Sequence, residues 1–453
     1  MTCLTALAHS TRRGQARSAP LMVVLVLAFL AATAGFGAAQ PPGAATPATL
    51  TVPPQPPIDP AAPLFNGSVL HDLRLTMKPD DWDTLKARFM WDTYYPADFE
   101  WRGVKVPMVG IRSRGQGSRN PVKPSIRIDF NRYHEEQRFL GLNALILANA
   151  AQDPAMLNRR LSMAVFSRVG LPASRVVHAR VFVNGEYVGL YEAVEAVEKP
   201  FLARVFGRDG DARKRDEGYL FEYKWETDYQ WTYLGPDLAS YAPLFELQTR
   251  QMDAPSLVYG PIEDMIRTIN EVSDADFEPE VGRYLHLQLF IRHLAVERFI
   301  SDIDGFLGDW GPNNFYLYRF DGGTLAAIIP WDKDSTFYDL LDDIYKGFDR
   351  SVLGQRILAL PALRRYYLES LLGCAASVVE PDAPDSPVSW FEAELLRQRA
   401  QILEAARADG NKPYTSERVD EAHQEMLEFV RNRSAFVADL AQRELERLTQ
   451  GPK

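Results

Sequence analysis

The densest group of acidic and amide side chains in predicted loops lies between residues 302 and 334. It comprises Asp302, Asp304, Asp309, Asn313, Asn314, Asp332 and Asp334. Ligand sets made only of oxygen atoms suit a hard cation such as Mg²⁺, Mn²⁺ or Ca²⁺ and do not suit zinc. Asp332 and Asp334 alternate around Lys333, so both side chains point the same way if this stretch is extended. The pattern therefore indicates a divalent-metal site.

Phosphoryl transfer is a chemistry that needs such a site. A metal bridges the phosphate oxygens while a separate aspartate orients the attacking hydroxyl. In protein kinases that aspartate precedes a metal-binding asparagine, and a metal-binding aspartate follows later in the chain. The order here is the same: Asp304 or Asp309, then Asn314, then Asp332. Because Asp, Asn and Gly are also ordinary turn residues, a purely structural loop is the alternative interpretation.

The secondary structure that must position this cluster is predicted to be mainly strands in the first part of the body and mainly helices in the last part. Alternating apolar residues predict strands at 68–75, 104–114 and 125–130, and hairpins of 175–183 with 187–194 and of 314–318 with 324–330. The first hairpin turns at Asn184-Gly185, a strong turn signal. Apolar periodicity predicts helices at 80–89, 153–169 and 281–300 and over most of 353–448. Strands followed by helices indicate an α+β fold with two lobes.

The N-terminus predicts export. Residues 1–39 combine three arginines, an uncharged apolar run and a final Gly-Ala-Ala, which is typical of a cleaved signal peptide. The apolar run is short for a membrane span, and a retained anchor is the alternative interpretation. Residues 40–63 are rich in Pro and Ala and predict a linker before a globular body. We therefore expect a periplasmic, cell-surface or extracellular protein with no stable membrane span after cleavage.

The composition excludes several other classes of protein. The chain is 46% hydrophobic, which excludes wholesale disorder. Its 60 acidic and 50 basic residues give a net charge of −10, which argues against a nucleic-acid partner. Only Cys374 remains once the signal is removed, so a disulfide scaffold and a cysteine zinc site are excluded. No pattern indicates an oligomeric state.

Three motifs resemble those of the CotH family of spore-coat-type atypical protein kinases. They are Asp304-Gly305-Phe306, Asn314-Phe315-Tyr316-Leu317-Tyr318 and Pro330-Trp331-Asp332-Lys333-Asp334. The glycine turn at 114–118 and the hairpin that ends at Glu195 also resemble the family, and the resemblance covers roughly 64–448. It implies a bilobal kinase-like domain over 64–450, with a β-rich N-lobe at about 64–196 and a helical C-lobe at about 197–450.

The resemblance also implies roles for the acidic cluster. Asp304 would be the catalytic aspartate, Asn314 and Asp332 would hold Mg²⁺ or Mn²⁺ (or Ca²⁺), and Asp334 would be a supporting ligand. Asp309 stays an alternative because it lies five residues before Asn314, the spacing of a typical kinase loop. The activity implied is transfer of the ATP γ-phosphate to Ser, Thr or Tyr hydroxyls of a surface or secreted protein.

The nucleotide contacts are expected on the β-rich lobe, and the candidates are Arg114, Lys123, Arg127 and Glu195. The first three would meet phosphates, and Glu195 would contact the base or ribose or cap a helix. A typical kinase pairs a strand lysine with a helix glutamate. The predicted helix 153–169 contains no glutamate and offers Asn158, Arg159 and Arg160 instead. Two other hypotheses therefore stay open: a non-catalytic surface or adhesion protein, and a carboxylate-pair hydrolase of wall glycans.

Overall fold

The structure is a computed structural model that describes residues 59–207, 215–226 and 229–450. The predicted export signal, the linker up to residue 58 and most of the charged run 213–215 lie outside the described residues. All described residues fall within one compact unit. The expected division into two lobes near residue 196 stays a prediction, whereas the mixture of sheets and helices is confirmed.

A closed seven-stranded barrel forms the first part of the body. Its strands are β1 (His71–Thr76), β2 (Tyr95–Trp101), β3 (Val104–Ser113), β4 (Ile126–Asp129), β5 (Ala144–Ala148), β6 (Val176–Val183) and β7 (Glu186–Glu195). Helix α1 (Pro79–Ala87) follows β1, and α2 (Asn158–Arg168) connects β5 to β6. The strand order is β1-β2-β3-β4-β5-β7-β6, and a parallel pair of β6 with β1 closes the ring. Closure leaves no unpaired edge on this sheet.

A second sheet of four strands follows the barrel, in the order β11-β10-β8-β9. Helix α3 (Lys199–Val205) precedes it, and its strands are β8 (Tyr219–Tyr223), β9 (Phe245–Leu247), β10 (Phe315–Arg319) and β11 (Ala326–Pro330). An apolar cluster joins this sheet to the barrel, because Ile146 of β5 and Val194 of β7 are buried with Tyr316 and Ile329. The β10–β11 hairpin carries the two acidic parts of the predicted site at its ends.

Helices make up the rest of the body. They are α4 (Pro255–Glu271), α5 (Phe277–Val281), α6 (Leu287–Phe299), α7 (Val352–Ala359), α8 (Pro361–Val379), α9 (Trp390–Ala408) and α10 (Ser416–Gln450). Helices α6 and α10 pack on α8, and their apolar faces share one large core with the second sheet. Within the described residues, no helix is both long and apolar enough to cross a membrane.

The local predictions are largely confirmed, with shifted boundaries. The turn at Asn184-Gly185 is present, and both residues have positive φ (52° and 88°). The predicted helix 281–300 is wrong in its first part: α5 ends at Val281, and α6 begins only at Leu287. The backbone N–H of His286 donates to the carbonyl of Ala326, so this connection pairs with β11 and cannot continue the helix.

The predicted helix 153–169 also begins later, at Asn158. The carboxylate of Asp153 accepts the backbone N–H groups of Ala155 (2.9 Å) and Asn158 (2.8 Å). These two bonds close a turn that precedes α2. Strands β2, β5 and β8 and helix α4 had no counterpart among the predictions.

Candidate active site

Glu297, in the last turn of α6, organises the loop that carries Asp304. This side chain is fully buried, and its carboxylate accepts the backbone N–H groups of Phe306 (3.0 Å) and Leu307 (3.1 Å). Gly305 lies so close that an added Cβ would be 2.4 Å from Glu297 Oε1. The glycine of the Asp-Gly-Phe motif is therefore required by the close approach of Glu297.

Lys333 ties this loop to the segment that follows β11. Its Nζ lies 2.7 Å from Glu297 Oε1 and 2.8 Å from Asp302 Oδ2, and all three side chains are inaccessible to solvent. Burial alone would raise the pKa of Glu297, but Lys333 and His293 outweigh it and hold the pKa low. Burial would likewise lower the pKa of Lys333, yet the two carboxylates raise it. The ammonium is therefore a charged link between helix, loop and hairpin.

Asp304 is held by two asparagine amides. Asn313 Nδ2 donates to one carboxylate oxygen at 2.9 Å, and Asn314 Nδ2 donates to the other at 2.8 Å. Asn314 has a φ of 55°, a strained backbone conformation for a residue with a side chain. Its carbonyl accepts the backbone N–H of Trp331 at 3.0 Å, which draws the Pro-Trp-Asp-Lys-Asp segment to the loop. Burial, with nearby Asp302, raises the pKa of Asp304 to about 6.

Asp309 faces a different part of the protein. Its carboxylate lies 2.7 Å from the Nζ of Lys346 and lines a surface cavity of about 620 Å³ formed mainly by residues 343–350. Asp304, by contrast, interacts electrostatically with Asp332 and Asp334. The carboxylates of the two alternatives for the catalytic aspartate therefore have different partners, and Asp304 is the one that interacts with the predicted metal ligands.

Asp332 and Asp334 contact the same guanidinium, but not through the extended segment that the alternation around Lys333 assumed. The segment is not a regular strand, because Asp332 has a φ of 49°. Both carboxylates contact the guanidinium of Arg159 in α2: Nη2 lies 2.5 Å from Asp332 Oδ1 and 2.8 Å from Asp334 Oδ2. Nη1 of the same group donates to Glu192 Oε2 of β7 at 2.5 Å. One arginine therefore bridges three carboxylates.

The two carboxylates respond differently to this environment. Burial would raise the pKa of Asp332, but the guanidinium groups of Arg159 and Arg114 hold it below its ordinary value. Burial raises the pKa of Asp334 to about 7 even though Arg159 opposes that shift. Asn158, the first residue of α2, donates from Nδ2 to the backbone carbonyl of Asp334 at 2.9 Å. The N-terminus of α2 is thus docked on the acidic segment.

Three of the four predicted nucleotide contacts are engaged in other ion pairs. Lys123 pairs with Asp409 at 2.7 Å, and both side chains are inaccessible to solvent. Arg127 pairs with Asp129 at 2.7 Å and also with Glu198. The carboxylate of Glu195 lies 2.8 Å from Arg175 and 2.6 Å from Arg204, so it joins the end of β7 to α3. These contacts hold the barrel to its surroundings.

Arg114 is the exception. Its guanidinium has no hydrogen bond or ion pair with any residue that the structure describes, and its centre lies 5.5 Å from the ring of Trp331. Burial lowers the pKa of Arg114, while the charge of Asp332 acts in the opposite direction. Within the described residues, this cation therefore interacts with the acidic cluster through its charge and not through a salt bridge.

The predicted metal ligands offer only oxygen donors. No three His, Cys, Asp or Glu side chains of the described ranges form a ligand group by themselves. The predicted set consists of two carboxylates and the amide of Asn314. The Nδ2 group of this amide donates a hydrogen bond to Asp304, so its Oδ1 is the atom that can bind a cation. Such oxygen donors fit Mg²⁺ or Mn²⁺ with water completing the shell. Arg159 contacts both carboxylates in this arrangement.

Five residues of this site had no role assigned from the sequence: Arg159, Glu192, Glu297, Asp302, which was named only as a member of the acidic cluster, and Lys333. Glu192 stands inside an apolar run, between Tyr191 and Ala193, and Glu297 directly follows the apolar run that ends at Val296. A charge inside an apolar run is a usable signal, because a buried carboxylate requires a partner. The pattern cannot name that partner.

The chain is similar to known proteins over most of its length. A family model described as CotH kinase protein matches residues 111–437. Inner spore coat protein H of Bacillus subtilis (strain 168) is 25% identical over 390 residues, which are 83% of this chain and 98% of that protein. The crystal structure of a Helicobacter pylori proinflammatory kinase, CtkA, covers 72% of this chain and 95% of its own, at 12% identity and a TM-score of 0.26. A TM-score of this size does not establish a common fold.

Proposed function

Because this chain belongs to the CotH kinase protein family, we propose that it is an exported, metal-dependent protein kinase. It transfers the γ-phosphate of ATP to a Ser, Thr or Tyr hydroxyl of a surface or secreted protein. The first part of the body, with the barrel, is its N-lobe (about 64–196), and the remainder is its C-lobe (about 197–450). The similarity to a protein named for the inner spore coat supports association with a surface.

The observation that carries the proposal is the setting of Asp304. Its carboxylate is fixed by Asn313 and Asn314 and lies next to Asp332 and Asp334. A raised pKa of about 6 suits a group that accepts a proton near neutral pH. Asp304 orients the acceptor hydroxyl and accepts its proton as the phosphate is transferred.

Metal and nucleotide use are parts of the same proposal. Asn314, Asp332 and Asp334 hold Mg²⁺ or Mn²⁺, which neutralises charge on the phosphate oxygens. Arg114 contacts the phosphates, because its guanidinium has no hydrogen bond or ion pair with the described residues and is under the influence of the charge of Asp332. Lys123, Arg127 and Glu195 position the barrel and do not touch the nucleotide, since each is already paired.

The test is phosphate transfer from labelled ATP with Mn²⁺, to the protein itself and to a generic protein acceptor. Asp304→Asn should lower the transfer rate by roughly 10²–10⁴-fold, the usual contribution of a positioned base. Asp309→Asn is the matched control, since that carboxylate pairs with Lys346, and it should keep wild-type activity within about threefold. Absence of transfer by the wild-type protein, or equal loss in both variants, contradicts the proposal.

A non-catalytic surface protein on the same fold is the second candidate function. The observation that favours it is Arg159, which contacts the two carboxylates that a metal would need. This candidate predicts no rise in melting temperature when ATP and Mn²⁺ are added together. Differential scanning calorimetry with AMP-PNP, ATP and Mn²⁺ separates the two candidates, because a kinase site must bind the nucleotide even when acceptors are absent.

A further inference from the structure

The strongest unassigned feature is the single guanidinium among three carboxylates. Arg159 is 5% exposed, and its Nη2 contacts Asp332 and Asp334 while its Nη1 contacts Glu192. A guanidinium carries one positive charge, and a single bidentate carboxylate is enough to neutralise it. Here the acids outnumber the cation, so the local charge is not balanced by Arg159 alone.

The two ends of this guanidinium are held differently. Glu192 is anchored from two directions, because it accepts the backbone N–H of Arg160 at 3.1 Å as well as Arg159 Nη1 at 2.5 Å. It lies within β7 and is 1% exposed. Asp332 is the more open partner, with 29% of its side chain exposed. The contact with Glu192 is therefore the fixed end, and the contacts with Asp332 and Asp334 are the exchangeable end.

We propose that Arg159 is an internal competitor of the divalent cation at Asp332 and Asp334. Without metal, Nη2 neutralises the two carboxylates and keeps them together. When a cation takes those oxygens, Nη2 is released, and Glu192 keeps the guanidinium in the site. The released N–H groups then face the same space as the cation and can donate to an anionic ligand.

This inference rests on the proposed function, because it assumes that Asp332 and Asp334 hold the metal. It deepens that function by predicting an order of binding. A free cation must displace a charged hydrogen-bond donor with no compensating contact, so the metal alone binds weakly. A cation that arrives with a phosphate group supplies the released guanidinium with a new acceptor. Metal and nucleotide binding are therefore positively coupled through Arg159.

The experiment measures Mn²⁺ binding without nucleotide, by electron paramagnetic resonance of the free ion and by calorimetry. Arg159→Gln should bind Mn²⁺ roughly 10-fold more tightly than the wild-type protein, within the range expected for such couplings. Arg127→Gln is the matched control, because Arg127 also joins two carboxylates, Asp129 and Glu198, and is not among the residues that contact Asp332 or Asp334. Its Mn²⁺ affinity should equal that of the wild-type protein.

A second variant covers the case in which Arg159→Gln does not fold, since Glu192 would be left buried without its cation. The double variant Arg159→Gln with Glu192→Gln removes one positive and one negative charge. It should show the same tighter Mn²⁺ binding, and adding Asp332→Asn should abolish it. The inference is overturned if Mn²⁺ affinity is unchanged or weaker in the variants that fold.

The outcome is separable from that of the proposed function. If the wild-type protein transfers no phosphate but Arg159→Gln binds Mn²⁺ more tightly, the competition stands and the kinase proposal fails. If the wild-type protein transfers phosphate and the variants bind Mn²⁺ no more tightly, the kinase proposal stands and the competition fails. In that case Arg159 is a permanent structural link that orients the two aspartates.

Discussion

The barrel and the acidic site use buried side chains in opposite ways. Inside the barrel, Phe99, Phe130 and Phe139 are almost fully buried, and Phe99 meets the other two edge to face with ring centres 5.3 and 4.8 Å apart. At the site, Glu297 and Lys333 are buried as completely, but as a charged pair at 2.7 Å. One region is stabilised by apolar area removed from water, and the other depends on ion pairs.

The difference matters because substitutions in the two regions reduce the stability of the protein for different reasons. Apolar packing tolerates substitutions that keep volume and shape, and its loss grows with the cavity that is left. A buried ion pair adds little net stability when complete, yet removal of one partner leaves an uncompensated charge in a low-dielectric interior. The barrel therefore contributes to the stability of the fold. The ion pairs of the site contribute little net stability, but they fix the positions of Asp304 and Asp332.

The largest effect is expected at Lys333, the cation shared by Glu297 and Asp302. Lys333→Met leaves two buried carboxylates without their ammonium and should lower the free energy of unfolding by about 5 kcal/mol. Urea unfolding followed by circular dichroism measures this loss. The triple variant that adds Glu297→Gln and Asp302→Asn should recover most of it, and a loss that persists there would mean that lysine packing, not charge, is responsible.

In the barrel, Phe99→Ala should lower the free energy of unfolding by about 4 kcal/mol, since the substitution removes a fully buried ring and leaves a cavity. Phe99→Leu, the control, should lose less than half as much because it fills most of the space. The same urea titration applies. The contrast between the two regions is contradicted by two results together. Phe99→Ala and Phe99→Leu would each lower the free energy of unfolding as much as Lys333→Met does, and the triple variant would not recover the stability lost in Lys333→Met.

His71 is a titratable side chain of the barrel wall that is buried without an acidic partner among the described residues. Its Nδ1 accepts a hydrogen bond from Trp101 Nε1 at 3.0 Å, and burial, helped by Arg102, lowers its pKa to about 4. Below pH 6.5 the unfolded chain binds this proton first, so stability falls as the pH drops toward 4. The loss should reach at most about 3 kcal/mol.

The control for this pH effect is His71→Gln, which cannot take up the proton. Its stability should therefore change less between pH 6.5 and pH 4 than that of the wild-type protein, in thermal melts recorded at each pH. Parallel curves for the two proteins would mean that His71 is not held neutral by the barrel.

The smallest effect is expected from Gly305→Ala. The new Cβ would lie 2.4 Å from Glu297 Oε1 and 2.5 Å from Asp302 Oδ2, so the loop must shift at a cost of about 2 kcal/mol. Phosphate transfer should fall together with the melting temperature, because the shift displaces Asp304. Gly373→Ala is the control: nothing lies within 4 Å of its added Cβ, and in helix α8 it should be neutral or slightly stabilising. Equal melting temperatures for the two variants would contradict the role of Glu297.

Local patterns predicted strands from alternation and from turn residues. Strands β3 and β4 were expected from alternation, and the β6–β7 and β10–β11 hairpins were expected from alternation together with turn residues such as Asn184-Gly185. Strand β5 was missed because all of Ala144–Ala148 is buried, so its sequence does not alternate. Strand β2 was missed because Pro96 and Asp98 interrupt its pattern. Closure of the barrel pairs β1 with β6 across more than 100 residues, which no local pattern indicates.

The sequence indicated the kind of chemistry expected at the site, but it did not indicate which charged side chains pair with each other. The types and order of Asp304, Asn314, Asp332 and Asp334 indicated a metal-dependent phosphoryl transfer before any geometry was known, and that role stays a prediction. Lys123 and Arg127 were candidates because they are cations beside or on a predicted strand, and Glu195 because it ends a predicted hairpin. Each is paired with an oppositely charged side chain, the two cations with carboxylates and Glu195 with arginines. A charge in a sequence has many possible partners, and only packing selects one.

The sequence by itself determined the family, most of the regular elements and the set of acidic and amide groups, because these depend on residue type and short spacing. Tertiary structure alone decided that Arg159 reaches carboxylates 173 and 175 residues away, and that Glu297 holds the loop of Asp304. It also gave different partners to Asp304 and Asp309, which are equivalent by residue type. The physical reason is that electrostatic interactions depend on distance and burial, which only the packed chain defines.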